Sequence, residues 1–320
     1  MTTTIDRVLR SNLKLKHLQL LIALDQFRHL GRTAEFLSVS QPAVSRTLGE
    51  IERMFETALF DRSTKGTEPT PTGQTVIGFA RRVIAEYEKT RDALQTRQDG
   101  SAGRVSLGAM AVATPVLLAQ AMVHFKQAKP AATVLVEEGD LTRLLPRLRM
   151  GELDLIAGRL EPGYAAPDLH TEALCQESMC LICAPQHPLA SLKRVSWPQL
   201  QTQRWVMPPP WATSRTKLHQ LFYKNRLDPP ADCVETASLL VTINLIHALE
   251  AIGFVARNVG LHLQSQGQAH VLPMSLQLEL PPLGIITLAG QIPSTTAQQL
   301  ISVIRQVAST WPTGKVLQSM

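Results

Sequence analysis

Arg32-Thr33-Ala34-Glu35-Phe36-Leu37-Ser38-Val39-Ser40-Gln41-Pro42-Ala43-Val44-Ser45-Arg46-Thr47-Leu48-Gly49-Glu50-Ile51 reads as two helices joined by a tight turn. A short helix from about Thr33 to Leu37 meets a turn at Ser38-Val39-Ser40. Ser40 is a strong helix N-cap, and Pro42 is tolerated in the first turn that follows. Val44, Leu48 and Ile51 then recur at helical spacing and face inward. These are the proportions of a helix-turn-helix. Ala34 is small where the two helices cross, and Val39 and Val44 are expected to fill their shared core. Ser38 stands where the turn most often has Gly. A recognition helix offers short polar and basic side chains to the major groove from its N-terminal end. Ser40, Gln41, Ser45 and Arg46 supply them, with Gln41 suited to adenine and Arg46 to guanine or phosphate.

Outward from this motif the pattern continues. Leu18, Leu21, Ile22, Leu24, Phe27 and Leu30 form a helical stripe upstream. Residues 60–73, rich in Thr, Pro and Gly, read as a short hairpin or wing carrying Arg62 and Lys65. From Thr72 to about Gln98 a long helix runs without Pro, with a stripe of Val76, Ala80, Val83, Tyr87 and Leu94. Its early 4, 3, 4 spacing is that of a coiled-coil seam, which needs a neighbour to be stable. Asp99-Gly100-Ser101-Ala102-Gly103 breaks the helix as a hinge. Beyond it, short apolar runs alternate with helical stripes, the grammar of βαβ units on a parallel sheet. Strands are expected near 105–109, 133–137, 153–157, 179–184, 204–207, 252–256 and 284–289. Helices are expected near 115–129, up to Met150, and over 213–226, 238–251 and 294–310, the last packing back on the first part of this region.

A length of 320 residues suits about two domains. Charged residues are 18% and hydrophobic ones 44%, which excludes a mostly disordered chain. Net charge is +6, and residues 1–65 hold ten Lys and Arg against seven Asp and Glu, so half of the excess lies in the first fifth. Arg32, Arg46, Arg53, Arg62 and Lys65 are the basic residues placed near a groove. Cys175, Cys180, Cys183 and Cys233 do not make a secreted disulfide framework. The Cys180–Cys183 pair has no second pair to complete a zinc site. It reads as core packing, with redox or metal chemistry as the alternative. The apolar run Leu18–Leu24 is cut by Asp25, Gln26, Arg28 and His29, against an export leader. The uncharged run from Val105 to Val123 contains Ser106, Gly108, Thr114, Pro115 and Gln120, so it reads as strand, turn and helix, and no membrane span is expected. No nucleophile elbow, phosphate loop or histidine-rich metal motif occurs, so neither an enzyme nor a cofactor or metal site is expected.

Ser40-Gln41-Pro42-Ala43-Val44-Ser45, Leu59-Phe60-Asp61-Arg62 and Thr70-Pro71-Thr72-Gly73 together resemble the LysR-type transcriptional regulators, and the resemblance runs along nearly the whole chain. Gly151-Glu152-Leu153-Asp154-Leu155 before a strand also fits. The chain departs from the family at Pro69, where Leu is usual, and at Lys65, where Arg is frequent. The resemblance implies an α/β protein: an N-terminal winged helix-turn-helix (1–71), a linker helix for dimerisation with its hinge (72–103), an effector domain (104–310) and a tail (311–320). The effector domain would resemble a periplasmic binding protein, with subdomain I at 104–174 plus 283–310, subdomain II at 176–279, and crossings near Gln176 and Leu280. It further implies base contacts from Gln41, Pro42, Ser45 and Arg46, phosphate contacts from Thr33 and Ser40 beside Arg32, and a wing contact from Arg62, Thr64 or Lys65. Arg53 and Arg81 are read as a solvated helix face.

Ligands of open α/β sheets sit beyond the carboxyl ends of the strands. With the implied two-subdomain layout, that places Val112, Thr114, Asp140, Thr142 and Arg159 of subdomain I, and Trp211, Thr213, Ser214 and Arg215 of subdomain II, at an effector cleft. Two arginines and two helix starts favour a small organic anion. Implied partners are double-stranded operator DNA, a small-molecule effector, further copies of the chain as dimer and tetramer, and RNA polymerase, in the cytoplasm and without membrane contact. A solute-binding protein explains 104–310 but not the first hundred residues, and a redox-switch regulator would use the cysteines.

Overall fold

The structure, a computed structural model, describes residues 8, 12–63, 66–99 and 103–311. Thr64 and Lys65 of the wing, Gly100–Ala102 of the glycine-rich break and the tail beyond Trp311 lie outside the described residues. The chain divides into two compact units, Met1–Gly103 with Pro146–Leu153, and Arg104–Leu145 with Asp154–Met320.

In the first unit, α1 (Leu15–Phe27), α2 (Leu30–Phe36) and α3 (Gln41–Phe55) pack around Leu21, Leu24, Val44, Leu48, Ile51 and Leu59, all fully buried. Each contributes roughly 1.5–3 kcal/mol of transfer free energy. The turn between α2 and α3 needs a left-handed residue, and Ser38 supplies it at φ 55°. Val39 follows, and its N–H closes the turn on the Ala34 carbonyl at 2.9 Å. The expectation that Val39 fills the shared core is corrected. It is 47% exposed, and Leu37 packs on the cluster instead, because the left-handed Ser38 turns the chain outward before Val39. Ala34 is buried as expected.

The wing is a hairpin of β1 (Phe60–Ser63) and β2 (Gly66–Pro69), paired from Phe60↔Pro69 to Ser63↔Gly66. It leads into α4 (Pro71–Asp99). The Thr70-Pro71-Thr72-Gly73 signature has a local physical reason. The Thr70 hydroxyl accepts from the Gly73 N–H at 3.0 Å and donates to the Ala58 carbonyl at 2.9 Å, capping the helix. Pro71 occupies the first helical position, where no N–H is needed. A Cβ on Gly73 would stand 1.9 Å from the Leu59 carbonyl oxygen, so only Gly fits. Along the α4 stripe Val76 and Ala80 are buried, whereas Tyr87 and Leu94 are 48% and 56% exposed. The reading of Arg81 as a solvated residue is corrected. Its guanidinium, with side-chain exposure of 22%, is held between Asp25 and Glu152. Arg53 is exposed and donates to the Gly49 carbonyl of its own helix.

The second unit holds two five-stranded sheets. The first orders β4 (Thr133–Glu138), β3 (Arg104–Ala109), β5 (Leu155–Arg159), β12 (Leu283–Leu288) and β6 (Leu169–Cys175). The second orders β11 (His270–Val271), β7 (Met179–Cys183), β10 (Ile252–Ala256), β8 (Trp205–Met207) and β9 (Cys233–Glu235). The expected parallel pairing holds for β3 with β4 and β5, and for β8 with β9 and β10. β12, β6, β7 and β11 pair antiparallel, which the pattern did not announce, since a buried strand reads the same in either direction. The chain leaves the first sheet after Cys175, enters the second at Met179, and returns between Val271 and Leu283. The helices include α5 (Ala119–Ala128), α6 (Leu141–Arg149), α7 (Trp197–Gln201), α8 (Thr213–Lys224), α9 (Leu239–Ala248) and α10 (Arg257–Ser265). The closing helix α11 (Thr295–Ser309) packs on α5, β3 and β6. The helix expected to start at Pro115 begins as a wide turn over Thr114–Leu118 before α5. Among the described residues, no helix is long and apolar enough to cross a membrane.

Cys180 and Cys183 are three residues apart on β7, so they point to opposite faces of the sheet. Their thiols lie near the carbonyls of Ala256 and His270 respectively. Burial pushes the Cys175, Cys180 and Cys183 thiols up to about 12, and all four cysteines are free. This favours the packing reading of the pair.

Two outcomes follow. Gly73→Ala must displace the Leu59 backbone and is expected to cost about 1–3 kcal/mol, the range of overpacking, read as a lowered first transition in urea. Thiol labelling of the native chain is expected to stop at Cys233, with Cys175, Cys180 and Cys183 reacting only on unfolding. Rapid native labelling of Cys180 would revive the redox reading.

Candidate nucleic-acid interface and effector cleft

The helix expected to serve as recognition helix is α3, and its orientation is set at both ends. At the start, the Ser40 hydroxyl accepts from the Ala43 N–H at 3.4 Å, and Pro42 lies in the first turn. Ser40, Gln41, Pro42 and Arg46 are exposed and Ser45 is half-buried, so the first turns of α3 present polar side chains to solvent while Val44 and Leu48 are buried. Arg46 makes no ion pair among the described residues. At the other end, Glu52 Oε1 accepts from the N–H groups of Leu59 and Phe60 at 2.9 and 3.2 Å, holding the wing's first strand on α3.

The start of α2 is built by a residue that the sequence reading passed over. His29 is its N-cap, and Nδ1 accepts from the N–H groups of Gly31 and Arg32 at 3.1 and 3.3 Å. A ring acceptor at an N-cap falls outside the usual Ser, Thr, Asp and Asn signal. Arg32 is exposed beside it. Thr33 is fully buried, and its hydroxyl donates to the His29 carbonyl at 2.9 Å, so its side chain braces α2 from inside. Arg62 lies on β1, and Thr64 and Lys65 fall outside the described residues.

Wing strand β2 is fastened to α1. The Thr67 N–H donates to the Arg28 carbonyl at 3.0 Å, and the Arg28 guanidinium pairs with Glu68 and Asp25. Asp61 and Glu68 stand directly opposite each other in the hairpin, an unfavourable like-charge pair. Arg28 supplies the compensating charge.

In the second unit, Val112 and Val116, from the loop after β3, pack on the hydrophobic cluster of the second sheet. Thr114 donates to the Met110 carbonyl at 3.1 Å. Asp140 accepts from Thr142 and from the Arg143 N–H, and the Thr142 hydrogen bond is the main cause that holds its carboxyl below the ordinary value. Trp211 is 73% exposed. Thr213, at the start of α8, donates to Glu161 Oε2 at 2.9 Å, and Ser214 beside it is half-buried.

Both arginines assigned to the cleft are turned into the protein. Arg159 is 5% exposed and donates to the carbonyls of Pro281 and Glu177 at 2.8 and 3.1 Å. Burial lowers its affinity for the proton, against the pull of Glu177 and Glu161. Arg215 is 8% exposed and pairs with Glu235 at 3.0 Å. Glu177 completes the polar core around Arg159. Its carboxylate accepts from Asn258 Nδ2 at 2.6 Å and from the Trp311 indole at 2.7 Å. The only sequence signal for it was an acidic residue between two apolar strands.

Similar proteins agree with this architecture. Residues 98–309 match the LysR substrate binding domain, and residues 15–74 match the bacterial regulatory helix-turn-helix protein, lysR family. The HTH-type transcriptional regulator GbpR of Azospirillum brasilense is 28% identical over 305 residues, covering 94% of this chain and 89% of the relative. GalR of Pseudomonas putida, also an HTH-type transcriptional regulator, is 28% identical over 91% of this chain and 73% of its own length. Full-length CbnR, solved with its target DNA, shares the fold with a TM-score of 0.70 at 18% identity, over 92% of this chain and all of that one. Full-length OxyR from Pseudomonas aeruginosa gives a TM-score of 0.65 at 22% identity, over 95% and 97% of the two chains. With its two domain matches spanning residues 15–309, the chain belongs to the LysR-type transcriptional regulators, non-enzymatic proteins that join a DNA-binding helix-turn-helix to an effector-binding domain.

Proposed function

We propose that this regulator reads its operator from the first turns of α3. Gln41, Pro42, Ser45 and Arg46 contact bases, Ser40 and Arg32 hold phosphates, and the wing adds a contact from Arg62, Thr64 or Lys65. The observation that carries this reading is the exposed polar face of α3, with Arg46 free of ion pairs among the described residues. Thr33 acts from inside, by bracing α2. The chain works in the cytoplasm as a dimer through α4 and as a tetramer of two such dimers, as the exposed Tyr87 and Leu94 support. RNA polymerase is its partner at the promoter.

The effector is a small organic anion held between the two sheets of the second unit. The start of α8 supports this, because a carboxylate, that of Glu161, already accepts there from Thr213. Exposed backbone N–H groups at a helix start favour negative charge. Thr114, Thr142, Thr213 and Ser214 supply hydroxyls, Val112 and Trp211 supply apolar contact, and Asp140 shapes the start of α6. Arg159 and Arg215 act at one remove, by fixing the walls. Binding shifts the promoter complex or its DNA bend through differential affinity for two sensor arrangements.

Selection of bound duplexes from a random pool at ~150 mM salt is expected to recover a partly symmetric site. Arg46→Ala is expected to cost about 1–3 kcal/mol and to relax one position of that site. A uniform loss across all sequences would assign Arg46 to phosphate instead. Calorimetry against paired carboxylate and amide forms of small acids is expected to give heat only for the carboxylates, weakened by Thr213→Val. Binding of the amides alone would reject an anionic effector.

A further inference from the structure

Six side chains of the first unit form an unbroken series of alternating charge. Glu68 of β2 accepts from Arg28, at the end of α1. Arg28 Nη2 donates to Asp25 Oδ1 at 2.7 Å. The second oxygen of Asp25 accepts from Arg81 Nη2 of α4 at 2.8 Å. Arg81 Nη1 donates to Glu152 Oε1 at 2.7 Å, and Glu152 Oε2 accepts from Arg147 Nε at 2.8 Å. Each pair uses its own atoms, so neighbouring pairs do not compete. The middle of the series is the best shielded, with side-chain exposures of 17%, 22% and 21% at Asp25, Arg81 and Glu152, against 67% at Glu68. Screening is weakest where charges are buried, so the central links keep more of their Coulomb energy than surface pairs do.

Backbone contacts run alongside both ends. The Thr67 N–H on the Arg28 carbonyl seats the wing strand on α1. At the other end Gly151, at φ 75°, lies against α4, where a Cβ would come within 3.2 Å of the Ala85 Cβ. The turn that carries Glu152 continues directly into β5 of the first sheet.

We propose that this series is a relay by which the turn carrying Glu152 sets the angle of the wing, with Asp25 and Arg81 as positioning residues for DNA binding. Releasing Glu152 from Arg81 leaves that guanidinium with Asp25 alone. Asp25 then bonds Arg81 more closely and Arg28 less, and the hold of Arg28 on Glu68 changes at the wing. The relay bears on DNA only through the wing contact proposed above, but its own reality does not depend on that contact.

The test is hydrogen exchange on the full chain without DNA, using the isosteric variants Glu152→Gln and Glu68→Gln. Coupling between two sites is reciprocal. Glu152→Gln is therefore expected to raise exchange several-fold in peptides covering β1 and β2, and Glu68→Gln to raise it in 146–153. The double variant is expected to fall short of the sum of the two, and 0.5 M salt to shrink both effects. A structural role confined to each end predicts changes at that end only, and that result overturns the relay. Glu68→Gln stands at an exposed position and tests the relay even if Glu152→Gln unfolds. Affinity for the selected duplex is measured separately. Altered wing exchange at unchanged affinity keeps the relay and rejects the wing contact.

Discussion

Leu59 is the point on which the DNA-binding unit depends. Its N–H donates to Glu52 of the recognition helix at 2.9 Å, and its carbonyl accepts from the Thr70 N–H at 3.0 Å. The same carbonyl lies against Gly73, and the side chain is fully buried in the unit's core. One residue thus joins α3, the wing and the start of α4. The three elements cannot reorient independently, because each shift would break a hydrogen bond or drive backbone into backbone. Base readout needs such rigidity, since donors and acceptors must arrive within a fraction of an ångström of their places.

The sensor is organised around buried charge. Arg159 and Glu177 are 5% and 3% exposed, and burying them unpaired would cost several kcal/mol each. The cost is offset by the carbonyls of Pro281 and Glu177 around the arginine, and by Asn258 and Trp311 around the carboxylate. These partners come from both passages of the chain between the two sheets, from α10 and from the end of α11. The network therefore fixes where the chain crosses. In the cleft proposed above, with both arginines turned inward, the polar groups left to an anion would be hydroxyls and helix starts, which leave its charge less neutralised than an arginine would.

What the sequence revealed divides along the range of the interactions. The stripes of α1 and α3, the Ser40 cap and the Thr70-Pro71-Thr72-Gly73 signature are local, and each was legible as a pattern within a few residues. The alternation of strands and helices was legible for the same reason, and with the family resemblance it gave the fold class. Strand direction was not, because Leu283–Leu288 is apolar on both faces and could pair either way. Val39 depended on the backbone angle of one residue, Ser38, which an apolar pattern does not encode. Arg81 meets Asp25 across 56 residues, and Arg159 meets Pro281 across 122, so neither partner lay within any window that can be read by eye. The cleft residues were placed by a rule about strand ends, which finds the neighbourhood of a site but not which way each side chain turns. Hence both arginines were assigned outward and are found inward.

The long helix shows how a rigid DNA-binding unit can also set a spacing. Its first turns are locked through Gly73, Val76, Ala80 and Arg81, while Tyr87 and Leu94 stand exposed farther along. From Ala80 to Leu94 the helix advances about 21 Å at 1.5 Å per residue. In the dimer proposed above, a second copy seated on that exposed half is carried at a fixed distance from the recognition helix. The separation of the two recognition helices then follows from where the exposed stripe lies on α4, with no flexible joint between. Dimer half-sites sit one DNA turn or a multiple apart, so in that dimer the choice of exposed apolar positions on α4 would become a choice of operator spacing. Of the seam positions, Val76 and Ala80 are buried in the unit's own core, so in that dimer the spacing would rest on Tyr87 and Leu94, which stand exposed.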